Sequence, residues 1–179
     1  MAIANNETLK RIRQIRADAV LGKKKHYNAA DRKQKYQTRI GLAVIAINVV
    51  LGSALLALVK ESIPESIKWL GAFLALSAAF LSAVQSYFGF PKAAHGHRAV
   101  AGRYLEVVKL CSNTIATSAD GTLPDAQLLK KLDTLTIAMS KIDADAHAFQ
   151  TNGADFQKAR NGTQEGEEEY TDTDLALGD

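Results

Sequence analysis

The chain has 179 residues, 47% of them apolar and 23% charged, with a formal net charge of +3. That length leaves no room for a large catalytic core, and a single cysteine, Cys111, excludes an intrachain disulfide or a cysteine zinc cluster. The averages describe one soluble domain, yet the apolar residues are unevenly dealt: 40–59 and 69–90 contain no charged residue.

Taken in chain order, residues 1–39 read as a basic cytoplasmic helical segment, with Leu9, Ile12, Ala19 and Val20 at near-helical spacing and Gly22 as an expected interruption. The cluster Lys23, Lys24, Lys25, Arg32, Lys33, Lys35 and Arg39 has two readings, a patch for anionic lipid or nucleic acid and a topology signal on a solvated helix. The second is favoured, because any juxtamembrane segment facing the cytoplasm carries such charges. No direct nucleic-acid binding is expected.

Residues 40–59 and 69–90 are long enough, at 1.5 Å rise per residue, to form helices of roughly 30 and 33 Å, matching a hydrocarbon core of about 30 Å. They are expected to be transmembrane helices 1 and 2, with Trp69 at one interface and Tyr87, Phe88 and Phe90 at the other. The first begins too far along the chain for a signal peptide, so it reads as a retained anchor. An external loop at 60–68 is so short that it forces an antiparallel hairpin. Lys and Arg are concentrated in 1–39 and again at Lys92, Arg98 and Arg103, which places both termini in the cytoplasm.

Residues 91–160 read as a cytoplasmic helical hairpin that follows a joint bracketed by Pro91 and Gly96. Its first helix carries the stripe Val100, Tyr104, Val107, Cys111 and Ile115. A turn over 118–121 leads to Thr122 and Asp125, spaced as a capping box. The second helix has Leu128, Leu132, Leu135, Met139, Ile142, Ala146 and Phe149 alternating by four and three, the pattern of a coiled-coil seam. The basic N-terminal helix is available as a third member of this bundle. Residues 161–179 hold seven acids and no Lys or Arg, and are expected to be a disordered acidic tail. A solvated tail is favoured over one latched onto the basic helix. The expected fold is an all-α membrane protein: a two-helix transmembrane hairpin with cytoplasmic helices before and after it.

The residues offer little chemistry. His95 and His97 point apart on a helix, His26 and His147 have no visible partner, and Cys111 sits on an apolar stripe. No phosphate-binding loop, dinucleotide fingerprint or zinc helix is present. No cofactor or metal is expected, and an enzyme is the least supported class.

The informative constellation is within the spans. Gly71, Ala75, Ala78, Ser82, Gln85 and Gly89 recur at spacings of four and three, with Ser86 beside them, opposite Phe73, Leu76, Phe80 and Tyr87. In the first span Gly41, Asn48 and Gly52 share a face. Such seams let helix backbones approach and hydrogen-bond, so they pack the hairpin against itself. Alternatively several hairpins assemble as a homo-oligomer in the bilayer, and Asn48, Ser82, Gln85 and Ser86 line a water-filled path. Physics alone favours packing, and the two are compatible.

The basic helical lead, the short-looped hairpin, the run His97-Arg98-Ala99-Val100-Ala101-Gly102-Arg103-Tyr104-Leu105, the second helix and the closing Phe156-Gln157-Lys158-Ala159-Arg160 together resemble the SLATT family over roughly residues 7–160. The resemblance implies a bacterial two-transmembrane effector of a conflict system, in the inner membrane, that forms a pore or otherwise breaches the bilayer when a separate nucleotide synthase or sensor signals. It also implies packing or signalling contacts in the stretch 98–105 and at Arg160, and Arg98 and Arg103, close to the membrane surface, either contact lipid phosphates or couple cytoplasmic movement to the hairpin, with plain surface solvation as the alternative. Many relatives are linked to a sensor domain, whereas this chain ends in the acidic tail. The alternative function is a non-conducting anchor whose heptad helix recruits a partner.

Overall fold

The computed structural model describes residues 2–58 and 64–167, with side chains over 6–54 and 64–167. Five helices follow one another: α1 (Ala2–Leu58), α2 (Glu65–Phe88), α3 (Phe90–Ala119), α4 (Asp125–Ala146) and α5 (Gly153–Gln164), with no strand among the described residues. The all-α class is therefore as expected. The chain divides into two compact units, Asp31–His95 and the remainder, Met1–Ala30 with Gly96–Asp179.

Asp31–His95 contains the hairpin. The first span is not a separate element but the continuation of α1, which passes Gly22 without a break. A lone glycine costs a helix only about 1 kcal/mol, too little to interrupt one held by packing on both sides. The second span begins earlier than expected, at Glu65, and closes at Phe88 on Gly89 in the left-handed conformation (φ 51, ψ 40). That one residue is the whole joint. The expected joint over 91–96 is helical instead, because α3 starts at Phe90 and Pro91 falls in its first turn, where a missing N–H costs nothing. Phe90 is buried, its ring stacked on Phe88 at 5.5 Å, 6.0 Å from the Tyr36 ring and 5.8 Å from Lys33 Nζ. Of the expected loop, 59–63 lie outside the described residues.

The other unit is a helical bundle packed around one core. Ile12, Ile15, Ala19 and Val20 of α1 meet Val100, Tyr104, Val107, Val108 and Cys111 of α3, and Leu128, Leu135 and Ile142 of α4. Leu132, Met139, Ala146 and Phe149 pack against the same cluster. α3 ends on Gly121 (φ 68), where Gly121 N–H donates to Ser118 O and Thr122 N–H to Thr117 O, the paired bonds of a glycine-closed helix terminus. The Thr122 hydroxyl also donates to Thr117 O at 2.9 Å, so it is spent on the preceding helix. The expected Thr122–Asp125 capping box does not form, and α4 starts from Pro124 without a side-chain cap.

A capping box does open α5: Asn152 Oδ1 accepts from Asp155 N–H at 2.9 Å, and Asp155 Oδ2 accepts from Asn152 N–H at 3.0 Å. This fifth helix changes the expected two-helix reading of 91–160. It also shortens the expected tail, since α5 runs to Gln164 and a turn follows through Glu167; 168–179 lie outside the described residues.

Two glycines admit aromatic rings. A Cβ at Gly22 would lie 2.9 Å from the Tyr104 ring, and one at Gly96 would overlap the Phe149 ring. Gly102, on the same helix as Gly96, has nothing within 4 Å. Gly96→Ala should therefore destabilise the chain by about 1–3 kcal/mol through overpacking, whereas Gly102→Ala should be neutral or stabilise by up to about 1 kcal/mol. Denaturation of the two variants in the same detergent checks this; equal effects would refute the packing argument.

Candidate functional site

Within Asp31–His95, the less exposed faces of α1 and α2 carry half-buried Gly41, Val44, Ile47, Leu51 and Ala54 on one side and Leu74, Ser77, Leu81, Val84 and Gln85, with buried Ala78, on the other. Gln85 reaches Gly41, its Nε2 only 3.7 Å from where a Cβ there would stand. Ala78 is the single fully buried position of α2. The outward face carries Leu42, Ile45, Val49, Leu70, Phe73, Leu76 and Phe80, each more than half exposed. A continuous apolar exterior of this extent is unfavourable in water and natural in lipid.

The small and polar seam divides between two surfaces. Gly71, Ala78, Gln85 and Gly89 are half-buried or buried, whereas Ala75, Ser82 and Ser86 are exposed beside them, and Asn48 and Gly52 are exposed on α1. Starting from the Gly41–Gln85 approach, one heptad along each antiparallel helix brings Asn48 level with Ala78. Helical geometry then puts Asn48 and Gly52 on the same flank of the hairpin as Ala75, Ser82 and Ser86. Packing within one hairpin thus uses part of the seam and leaves a polar flank uncovered.

The other unit holds a buried polar cluster. His26 and His97 retain 2% and 1% exposure, and their Nδ1 atoms are 3.1 Å apart, so one ring donates and the other accepts. Tyr104 lies against His26, and its hydroxyl donates to Asp143 Oδ1 at 2.6 Å; Phe149 packs on His97. Burial pushes the Tyr104 hydroxyl to titrate higher, and the Asp143 contact adds to this. Burial also raises the Cys111 thiol to about 11, as an unreactive packing residue requires. His26, expected to lack a partner, has one because both histidines extend the core stripes by a heptad, His26 after Ala19 and His97 before Tyr104. That spacing was readable, but a histidine at a core position does not announce its partner.

Of the arginines singled out in the sequence, Arg103 pairs with Asp145 across α3 and α4, and Arg98 and Arg160 are exposed. Among the described residues no group of three or more His, Cys, Asp and Glu comes together as a metal site.

Two helices long and apolar enough to cross a bilayer, with an exterior suited to lipid, define a two-span helical membrane protein. The family model for the SMODS and SLOG-associating 2TM effector domain family 4 matches residues 9–174, and the chain belongs to that family. No curated protein and no solved structure matches it.

The His26 imidazole is lowered from 6.5 to about 4 by burial first, then by His97 and Lys25, with Asp155 opposing. Below its ordinary value the unfolded chain takes up a proton that the folded chain refuses. Stability should be full above about pH 6.5 and fall by about 1.4 kcal/mol per pH unit toward pH 4. Denaturant midpoints across that range measure the slope, and His26→Asn should flatten it.

Proposed function

We propose that this chain is a membrane effector of a bacterial conflict system, held inactive until a nucleotide-dependent partner signals, and that several copies then assemble through their hairpins into a pore in the inner membrane. The family description, which names SMODS and SLOG association, supports a separate partner protein. The observation that carries the assembly is the uncovered flank of Asn48, Ala75, Ser82 and Ser86. Polar side chains facing lipid are costly, and a second hairpin or a file of water removes that cost. In this reading Gln85 and Ala78 hold each hairpin together, and the flank residues serve contact between copies and the conducting path. With the Lys and Arg excess of 1–39, both termini are cytoplasmic.

A non-conducting anchor is the second reading, favoured by exposed Leu110, Leu129 and Ile137 on α3 and α4. The heptad seam itself is not free for that role, because Leu128, Leu135 and Ile142 are buried in the chain's own core.

Induced expression with the triggering partner should depolarise the inner membrane, read with a potential-sensitive dye. Ser82→Leu combined with Ser86→Leu should abolish the depolarisation without lowering the amount of protein in the membrane. Gln85→Leu should act differently, by altering the contact with Gly41. Retained membrane potential with the wild-type chain and its partner would sink the pore reading, and function surviving replacement of the whole hairpin would favour the anchor.

A further inference from the structure

Where α4 ends, three successive backbone bonds carry the chain around a turn: His147 N–H donates to Ala144 O, Ala148 N–H to Asp145 O and Phe149 N–H to Ala146 O. Phe149 is thereby set over Gly96, in space that a Cβ there would take, with its ring 5.8 Å from that of His97. This turn borders a cavity of about 400 Å³ whose opposite wall is formed by His26 and Tyr104. Those two rings are each only 2% exposed, and their centroids lie 5.8 Å apart.

Several polar groups facing the cavity have capacity to spare. His26 Nδ1 is spent on His97, and among the described residues nothing takes the other ring nitrogen. Burial, which lowers His26 to about 4, keeps the ring neutral at pH 7. The Tyr104 hydroxyl occupies Oδ1 of Asp143 and leaves Oδ2 open. Lys25, half-buried on the same rim, forms no hydrogen bond or ion pair among the described residues, and Gln150 adds an unengaged amide. Lys25 and Asp143 are the formally charged residues of the lining, one of each sign. The charges beside them are already matched, Lys24 with Glu167 and Arg103 with Asp145, while Asp155 accepts from the Asn152 N–H. A ligand without net charge therefore suits the cavity better than an anion, which would leave Asp143 facing a like charge.

We propose that this cavity binds a guanine-type nucleoside, its base held between the turn at 147–151 and the wall of His26 and Tyr104. Guanine presents two donors side by side, N1–H and the exocyclic amine, which suit the Asp143 carboxylate. Its O6 and N7 are acceptors on the adjoining edge and suit the Lys25 ammonium. The flat ring matches the aromatic side chains, and the volume admits a purine with its sugar. Adenine sets an acceptor beside its amine, so it would turn a lone pair toward the carboxylate. The site lies within the helical bundle and does not depend on the pore reading.

The test titrates the full chain, in phosphatidylcholine nanodiscs, with guanosine, adenosine and guanosine 5′-monophosphate by calorimetry. Guanosine should bind at least about tenfold more tightly than adenosine, and the monophosphate no more tightly than guanosine. Asp143→Asn keeps an acceptor for the Tyr104 hydroxyl but replaces the open carboxylate oxygen by a donor. It should weaken guanosine about tenfold and narrow its preference over adenosine, with the circular dichroism unchanged, whereas loss of packing alone would weaken both nucleosides alike. Lys25→Met should also weaken guanosine, and it decides the matter if Asp143→Asn does not fold. Absence of guanosine binding, equal binding of the two nucleosides, tighter binding of the monophosphate, or a preference indifferent to Asp143→Asn overturns the proposal.

Discussion

A helix that leaves water must carry its own backbone hydrogen bonds with it, because lipid offers none in exchange. α1 meets this requirement by never pausing: one ladder runs from Ala2 to Leu58, through the basic segment and on into the apolar one. The break between α2 and α3 is a single glycine. Gly89 takes a left-handed conformation, and its carbonyl accepts from Ala93 N–H at 3.1 Å, already the first bond of α3.

Polarity is used in opposite ways in the two units. In the hairpin, large apolar side chains face outward, Gln85 enters the contact with α1, and Asn48, Ser82 and Ser86 share one exposed flank. In the helical bundle the apolar stripes turn inward, and two polar contacts reach into or to the edge of the core: buried His26 with buried His97, and the buried Tyr104 hydroxyl with exposed Asp143. Each such pair is a specific arrangement, since a buried donor without its acceptor costs more than the pair contributes. These contacts tie α1 to α3 and α3 to α4 more selectively than interchangeable Leu and Val contacts do.

Much of this was legible in the sequence where the signal was periodic. The stripe from Val100 to Ile115 and the heptads from Leu128 to Ala146 reappear within helices, as do most of the uncharged runs, while Phe149 packs on the core from just past the end of α4, because burial against a neighbour enforces the same spacing that composition records. Legibility failed where one side chain had two possible uses. Thr122 and Asp125 had the right separation for a cap, but the Thr122 hydroxyl found the end of α3 first. Asn152 and Asp155 form the box that Thr122 does not, although they stand in a stretch with no apolar periodicity to draw attention to them. Contacts between distant parts of the chain, such as Lys24 with Glu167, leave no local trace. Within the spans, periodicity grouped Gly71 to Gly89 as one seam, and only the position of α1 divides it into a covered and an uncovered part.

The solitary cysteine offers a practical consequence. Cys111 is fully buried and its thiol is held protonated by burial, so thiol-directed reagents at neutral pH have little thiolate to attack. The native chain is in effect already a cysteine-free background. A single cysteine introduced on the hairpin flank could be labelled in intact membranes without first altering the core, and its accessibility from either side of the bilayer would report the surroundings of that flank directly.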